Sequence, residues 1–110
     1  SKQELDELKV ELIDRFGLLP EATKNLLQIA EMRLMVKPLK VLKIDAGAQG
    51  GFIEFSPSAK VDPEKFIKLI QQNPIVYRFD GPLKFKFVKA LPENKARLEF
   101  VMDLVKTLTE

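Results

Sequence analysis

Cysteine and histidine are both absent from this chain of 110 residues. The first absence excludes a disulfide framework and any thiolate metal site, and it agrees with a reducing compartment. The second excludes histidine-ligated zinc, Ser-His-Asp nucleophiles and imidazole acid–base catalysis. Long apolar runs are missing too: none approaches the ~18 residues that a membrane span requires, and no basic-then-apolar leader opens the chain. Repeats, low-complexity tracts and an internal linker are likewise not found. These absences point to a cytoplasmic, soluble protein that needs no cofactor and no membrane.

With 45% hydrophobic residues, the chain has enough apolar material for one core, so residues 1–110 are read as a single domain. The net charge of +2 is too small to argue for nucleic acid by itself, but it is unevenly spread. Residues 1–36 hold five basic and seven acidic side chains, and residues 37–110 hold thirteen and nine. The front end is acidic and the remainder basic, an asymmetry that can orient partners or simply reflect solvated surface.

The stretch Glu11 to Pro20 reads as the end of one helix, a turn and the start of another. Gly17 stands where a helix C-terminus favours positive φ, and Pro20 where a new helix tolerates a missing N–H. Because Phe16, Leu18 and Leu19 are apolar, the turn is expected to be buried. Helix one runs from about Gln3 to Phe16. At 100° per residue Leu5, Leu8, Leu12 and Phe16 form one stripe, while Glu4, Glu7, Glu11 and Asp14 form another about 120° away. Helix two covers about Glu21 to Met35, with Ala22, Leu26, Ile29, Ala30 and Leu34 at helical spacing and Pro38 as its stop. The inner faces of this αα-hairpin are expected to form one wall of the core.

From Lys40 the period changes to two. Leu42 and Ile44 alternate with Lys43 and Asp45, and Phe52 to Phe55 reads as the returning strand of a hairpin whose Gly47–Gly51 loop uses glycine for its backbone angles. No lysine follows Gly51, so these glycines do not make a phosphate-binding loop. Asp62 and Pro63 then mark a helix start, with Val61 placed to staple onto Phe66. That helix ends near Gln72, with Phe66, Ile67 and Ile70 turned inward. A second hairpin runs Ile75 to Phe79, turns at Asp80-Gly81-Pro82 and returns from Leu83 to Val88. Its Phe85 and Phe87 face the core while Lys84 and Lys86 face water. After Pro92 a last helix reaches about Leu108, with Leu98, Val101, Met102, Val105 and Leu108 on one stripe. The order α-α-β-β-α-β-β-α defines a small α+β domain with an antiparallel sheet of two hairpins covered by helices; sequence order does not fix whether the hairpins share a sheet edge.

Three surfaces are candidates for function. The acidic stripe contains no basic residue, and its mild self-repulsion fits either a solvated face or a docking face for basic side chains. The basic set Arg78, Lys84, Lys86 and Lys89 fits a solvated sheet face or a small basic nucleic-acid-binding domain. No exposed aromatic run interleaves it, and no helix-turn-helix, zinc-finger or RNP pattern is found. Asp45, Glu54 and Asp80 are the carboxylates that an enzyme reading would use, but spacing alone does not converge them on a pocket, and Asp80 is a natural turn former.

The run Glu-Leu-Ile-Asp-Arg-Phe-Gly-Leu-Leu-Pro at 11–20, followed by Asn25-Leu26-Leu27 and Ile29-Ala30, resembles the C-terminal domain of the bacterial transcription-repair coupling factors (Mfd). Gly50-Gly51-Phe52-Ile53-Glu54-Phe55, Tyr77-Arg78-Phe79-Asp80-Gly81-Pro82 and Leu83-Lys84-Phe85 continue the similarity in order. The resemblance implies a non-catalytic regulatory domain of an ATP-driven double-stranded DNA translocase that displaces stalled RNA polymerase and recruits UvrA. It implies that the domain packs on a UvrB-like module of the same chain, so that the UvrA surface is masked until polymerase is engaged. Acidic residues of the Asp-Arg-Phe-Gly helix pair with arginines there; by motif position these are Glu11 and Asp14, and Glu7, one turn earlier, extends the same stripe. DNA is then contacted through other domains of the parent, and UvrA and polymerase only indirectly.

Overall fold

The structure, a computed structural model, describes residues 1–17 and 20–109. The expected burial of Phe16, Leu18 and Leu19 lies outside the described residues. Helices α1 (Lys2–Phe16) and α2 (Glu21–Val36) lead into a short 3-10 turn (Lys37–Leu39) and the hairpin of β1 (Val41–Gly47) and β2 (Gly50–Phe55). Helix α3 (Pro63–Gln72), strands β3 (Tyr77–Phe79) and β4 (Lys84–Val88), and helix α4 (Asn94–Thr109) complete the order. The four strands form one antiparallel sheet in the order β1-β2-β4-β3. The two hairpins therefore join through β2 and β4, with Ile53 opposite Phe85 and Gly51 opposite Phe87.

The inner sheet face carries the core. Ile53, Phe85 and Phe87 are fully buried, and Phe66 of α3 sets its ring edge-on to Phe85 at 4.9 Å and to Phe55 at 5.6 Å. Tyr77 stacks on Phe85 at 5.5 Å. From α4, Val101, Leu104, Val105 and Leu108 close the layer. Burying this many large apolar side chains supplies the dominant stabilising term, at roughly 1.5–3 kcal/mol for each one fully buried. Local chemistry places the helices. The Asp62 side chain accepts the Glu64 amide at 3.0 Å ahead of Pro63, and Arg97 donates to the Leu91 and Pro92 carbonyls, tying the loop before α4 to its first turn.

Several expectations are corrected. On α2, Leu26 is 68% exposed, whereas Leu27 is buried and Met32, Met35 and Val36 pack on the core. This helix lies between α1 on one side and α4 on another, so its apolar arc is wider than one stripe and rotated from the expected one. Helix α1 does not wall the core: none of its described side chains is buried, and its packing partner is α2. On α3, Leu69 joins Phe66 and Ile70 in the core contact while Ile67 faces water. Strand β3 begins at Tyr77, because the Asn73 carbonyl accepts both the Val76 and Tyr77 amides and curls residues 74–76 into a turn, leaving Ile75 89% exposed.

The glycine loop also differs. Gly47 pairs with Gly50, so Ala48-Gln49 is the whole turn and both later glycines lie in β2. Gly50 does hold a positive φ of +125°, but Gly51 serves close approach: a Cβ there would run into the Asp45 carbonyl. Gly17 has φ +76° and open space around it.

Two stability predictions follow from these contacts. Gly51→Ala forces β1 and β2 apart and costs at least ~2 kcal/mol in urea unfolding, whereas Gly17→Ala meets only backbone strain and costs about 1 kcal/mol. Burial raises the Tyr77 hydroxyl pKa above its ordinary 10.0. The folded state therefore favours the protonated phenol, a contribution complete below pH 10 and lost as the pH rises through the folded pKa. Relative to Tyr77→Phe, the unmodified chain loses stability above about pH 10, by at most ~1.4 kcal/mol per pH unit.

Candidate docking face on the first helix

Helix α1 starts where the Ser1 hydroxyl accepts the Glu4 amide at 3.2 Å and stops where the Gly17 amide donates to the Ile13 carbonyl. Between these caps Glu7, Glu11 and Asp14 all stand exposed. At 1.5 Å per residue they occupy a row about 10 Å long on one face. Glu11 accepts from Arg15 Nη2 at 3.1 Å, one turn on in the same helix, and Glu7 accepts from Gln3 Nε2 at 3.3 Å. Asp14 has no ion pair among the described residues. Both partners of the Glu11–Arg15 pair are more than half exposed. Such i,i+4 pairs contribute only about 0.3–0.5 kcal/mol, so an incoming arginine exchanges with Arg15 at little cost.

The structure adds four residues, Lys2, Gln3, Asp6 and Val10, that periodicity alone did not assign to this face. Val10, 60% exposed, lies in the same shallow surface as Gln3, Asp6, Glu7, Glu11 and Asp14. An apolar spot with four carboxylates and Lys2 around it has the composition of a docking patch, with a dry centre and a charged rim. The spacing Gln3, Asp6, Val10 was legible as i, i+3, i+7, but the exposed valine carried no signal until α2 was seen to pack elsewhere. Glu4 leaves the patch and lines the crevice between α1 and α2 with Leu5, Leu8, Ala30 and Arg33.

One polar contact fastens the two helices. Lys9 Nζ donates to Glu31 Oε2 at 3.2 Å, with both side chains mostly covered, and Asp6 sits at 4.0 Å from the same ammonium.

The outer sheet face is the second charged surface. Arg78 pairs with Lys86, Lys86 with Phe52, and Glu54 with Lys84 across the strands. No exposed aromatic run interleaves the lysines, but one half-buried ring, Phe52, stands among them, with Lys84 Nζ 4.5 Å and Lys43 Nζ 5.6 Å from its centre. Lys89 turns instead to Phe100 at 5.1 Å. Asp45 and Glu54 share this face and dilute its charge. Among the described residues no group of three acidic side chains gathers at metal-binding distance, and no helix is long and apolar enough to cross a membrane.

The fold and its helix hairpin define a small α+β domain whose charged features lie on its surface. The TRCF domain family matches residues 1–66. A transcription-repair-coupling factor of Haemophilus influenzae is 74% identical over 108 residues, covering 98% of this chain and 9% of that protein. Its Escherichia coli counterpart is 44% identical over 110 residues, covering all of this chain and 10% of the relative. A crystal structure of the C-terminal domain of transcription-repair coupling factor superposes with a TM-score of 0.77 at 20% identity, covering 97% of this chain and 70% of that one. This chain belongs to the TRCF domain family and is a domain of a transcription-repair coupling factor. It spans about a tenth of the length of the curated relatives it matches.

Removing the Lys9–Glu31 contact tests how firmly the face is held. Lys9→Met is expected to lower global stability by less than about 1 kcal/mol while speeding amide exchange along α1 severalfold relative to α4.

Proposed function

We propose that this domain is a non-catalytic, autoinhibitory module of its parent coupling factor. In this reading Glu7, Glu11 and Asp14 grip arginines of the UvrB-like module in the same polypeptide. The contact covers the surface that UvrA uses, and engagement of stalled RNA polymerase releases it. DNA contact and ATP-driven movement belong to other domains of the parent, which works in the cytoplasm away from membranes. The observation that carries the reading is the row of three exposed carboxylates on a helix that leaves the core untouched, so the row can be covered or uncovered without disturbing the fold.

Rim ion pairs give orientation and salt sensitivity with modest affinity. Tethering in one chain supplies an effective concentration up to millimolar order, which keeps even a weak contact mostly closed. The second reading, a small basic nucleic-acid-binding domain, is favoured by Phe52 between Lys43 and Lys84. It is carried less far, because one aromatic makes a single stacking platform and two carboxylates share its face.

The double substitution Glu11→Lys with Asp14→Lys in the full-length protein is expected to raise UvrA binding about five- to tenfold, with the melting temperature of the isolated domain within a few degrees of the unmodified one. Unchanged UvrA affinity refutes the interface. Salt-dependent binding of the unmodified domain to duplex DNA at micromolar concentration favours the second reading instead.

A further inference from the structure

We propose that the free edge of β1 is a strand-addition site for an extended, acidic segment of a partner polypeptide. Strand β1 ends the sheet and pairs with β2 alone. The crowding of Gly51 against the Asp45 carbonyl fixes which way the backbone points: Asp45 faces β2, so by alternation the N–H and C=O groups of Ile44 and Ala46 face away from the sheet. Natural sheets blunt such edges with bulges or helices. Here the register shift falls at the start of the strand, between Val41 and Lys43, and pairing is regular from Lys43 to Gly47. Five residues at ~3.3 Å each give a docking length of about 17 Å.

An open groove of about 590 Å³ runs beside this edge. Ile44 and Ala46 form its strand wall, Met32 and Val36 of α2 and Leu98 and Val101 of α4 the others. Leu42, 64% exposed, stands at its mouth. An added strand would send alternate side chains into this apolar trough and the others toward water, the division of labour by which edge addition gains both affinity and selectivity.

Charge names the occupant. The groove is lined by the guanidinium side chains of Arg33 and Arg97 and by no acidic residue, while the Lys43 ammonium turns to Phe52 on the outer face. Arg97 is already donating to Leu91, Pro92 and Asn94, whereas Arg33 is exposed and has no ion pair among the described residues. A second copy of the chain would bring Arg33 and Arg97 against the same two arginines, so self-pairing is disfavoured. A segment alternating apolar residues with aspartate or glutamate meets both requirements.

Selecting a phage-displayed library of random twelve-residue peptides against the 110-residue chain, then titrating the winning peptide into isotope-labelled protein, tests this. The expected winners alternate apolar and acidic residues, slow amide exchange at Ile44 and Ala46 at least tenfold, and shift Met32, Val36 and Leu98. Arg33→Glu weakens binding severalfold, whereas Glu11→Lys with Asp14→Lys leaves it unchanged, which separates this site from the α1 face. The exchange readout in the unmodified chain stands whether or not the variants fold. Basic or helix-patterned winners, no winners at all, or protection confined to α1 or the outer sheet face overturns the proposal.

Discussion

The antiparallel pairing of β2 with β4 is the contact on which the rest of the molecule depends. It joins two hairpins that are separated in sequence by a helix, and it sets Ile53, Phe85 and Phe87 side by side where no solvent reaches them. An isolated hairpin is marginal in water; four strands with one continuous apolar face are not. Once that face exists, Phe66 has a ring to meet, α4 has a surface to cover, and α2 has a flank to lean on. Gly51 belongs to the same constraint, because β1 reaches its register on β2 only where no side chain intervenes.

Helix α1 stands outside this arrangement. Its packing partner is α2, none of its described side chains is fully buried, and the Lys9–Glu31 pair is its one tertiary ion pair among the described residues. The radius of gyration, 15.4 Å, exceeds the roughly 13 Å of a compact chain of this length, as a projecting hairpin requires. Elements held by few buried contacts open more readily than the core they adjoin. An interaction face mounted there is coupled weakly to the stability of the domain, which suits a contact that must form and break while the fold persists.

Much of this was legible in the sequence, for identifiable reasons. Alternation at Phe85 and Phe87, the Asp62-Pro63 cap and the α4 stripe report short-range physics, and the structure keeps them. The failures share a cause. The inward face of α2 depends on which two neighbours it touches, the exposure of Ile67 on the angle of α3 to the sheet, and the role of Gly51 on a carbonyl six residues earlier in sequence. None of these is local. The surface position of Glu7, Glu11 and Asp14 came from helical periodicity, but their proposed work came from family resemblance, since a row of carboxylates by itself fits a solvated face equally well. Val10 and Asp6 lie between the two stripes that periodicity marks out, and only the packing of α1 on α2 shows which side of the helix they join.

A mask must be both closed at rest and removable, and the magnitudes allow that only within a band. With an effective concentration of about 1 mM, a contact whose untethered dissociation constant is near 10 μM is closed about 99% of the time, a preference of about 2.7 kcal/mol. Two or three rim ion pairs around one exposed valine supply only part of such a contact and hold it near the weak side of that range. A deep hydrophobic interface would exceed it, and would leave a partner unable to open the mask with the few kcal/mol that differential binding ordinarily supplies. In the proposed role, the exposed acidic row on α1, with Glu11 already paired to Arg15, would sit at the weak end of that band. Release then returns each charge to water or to its neighbour, and no carboxylate is left buried without a cation.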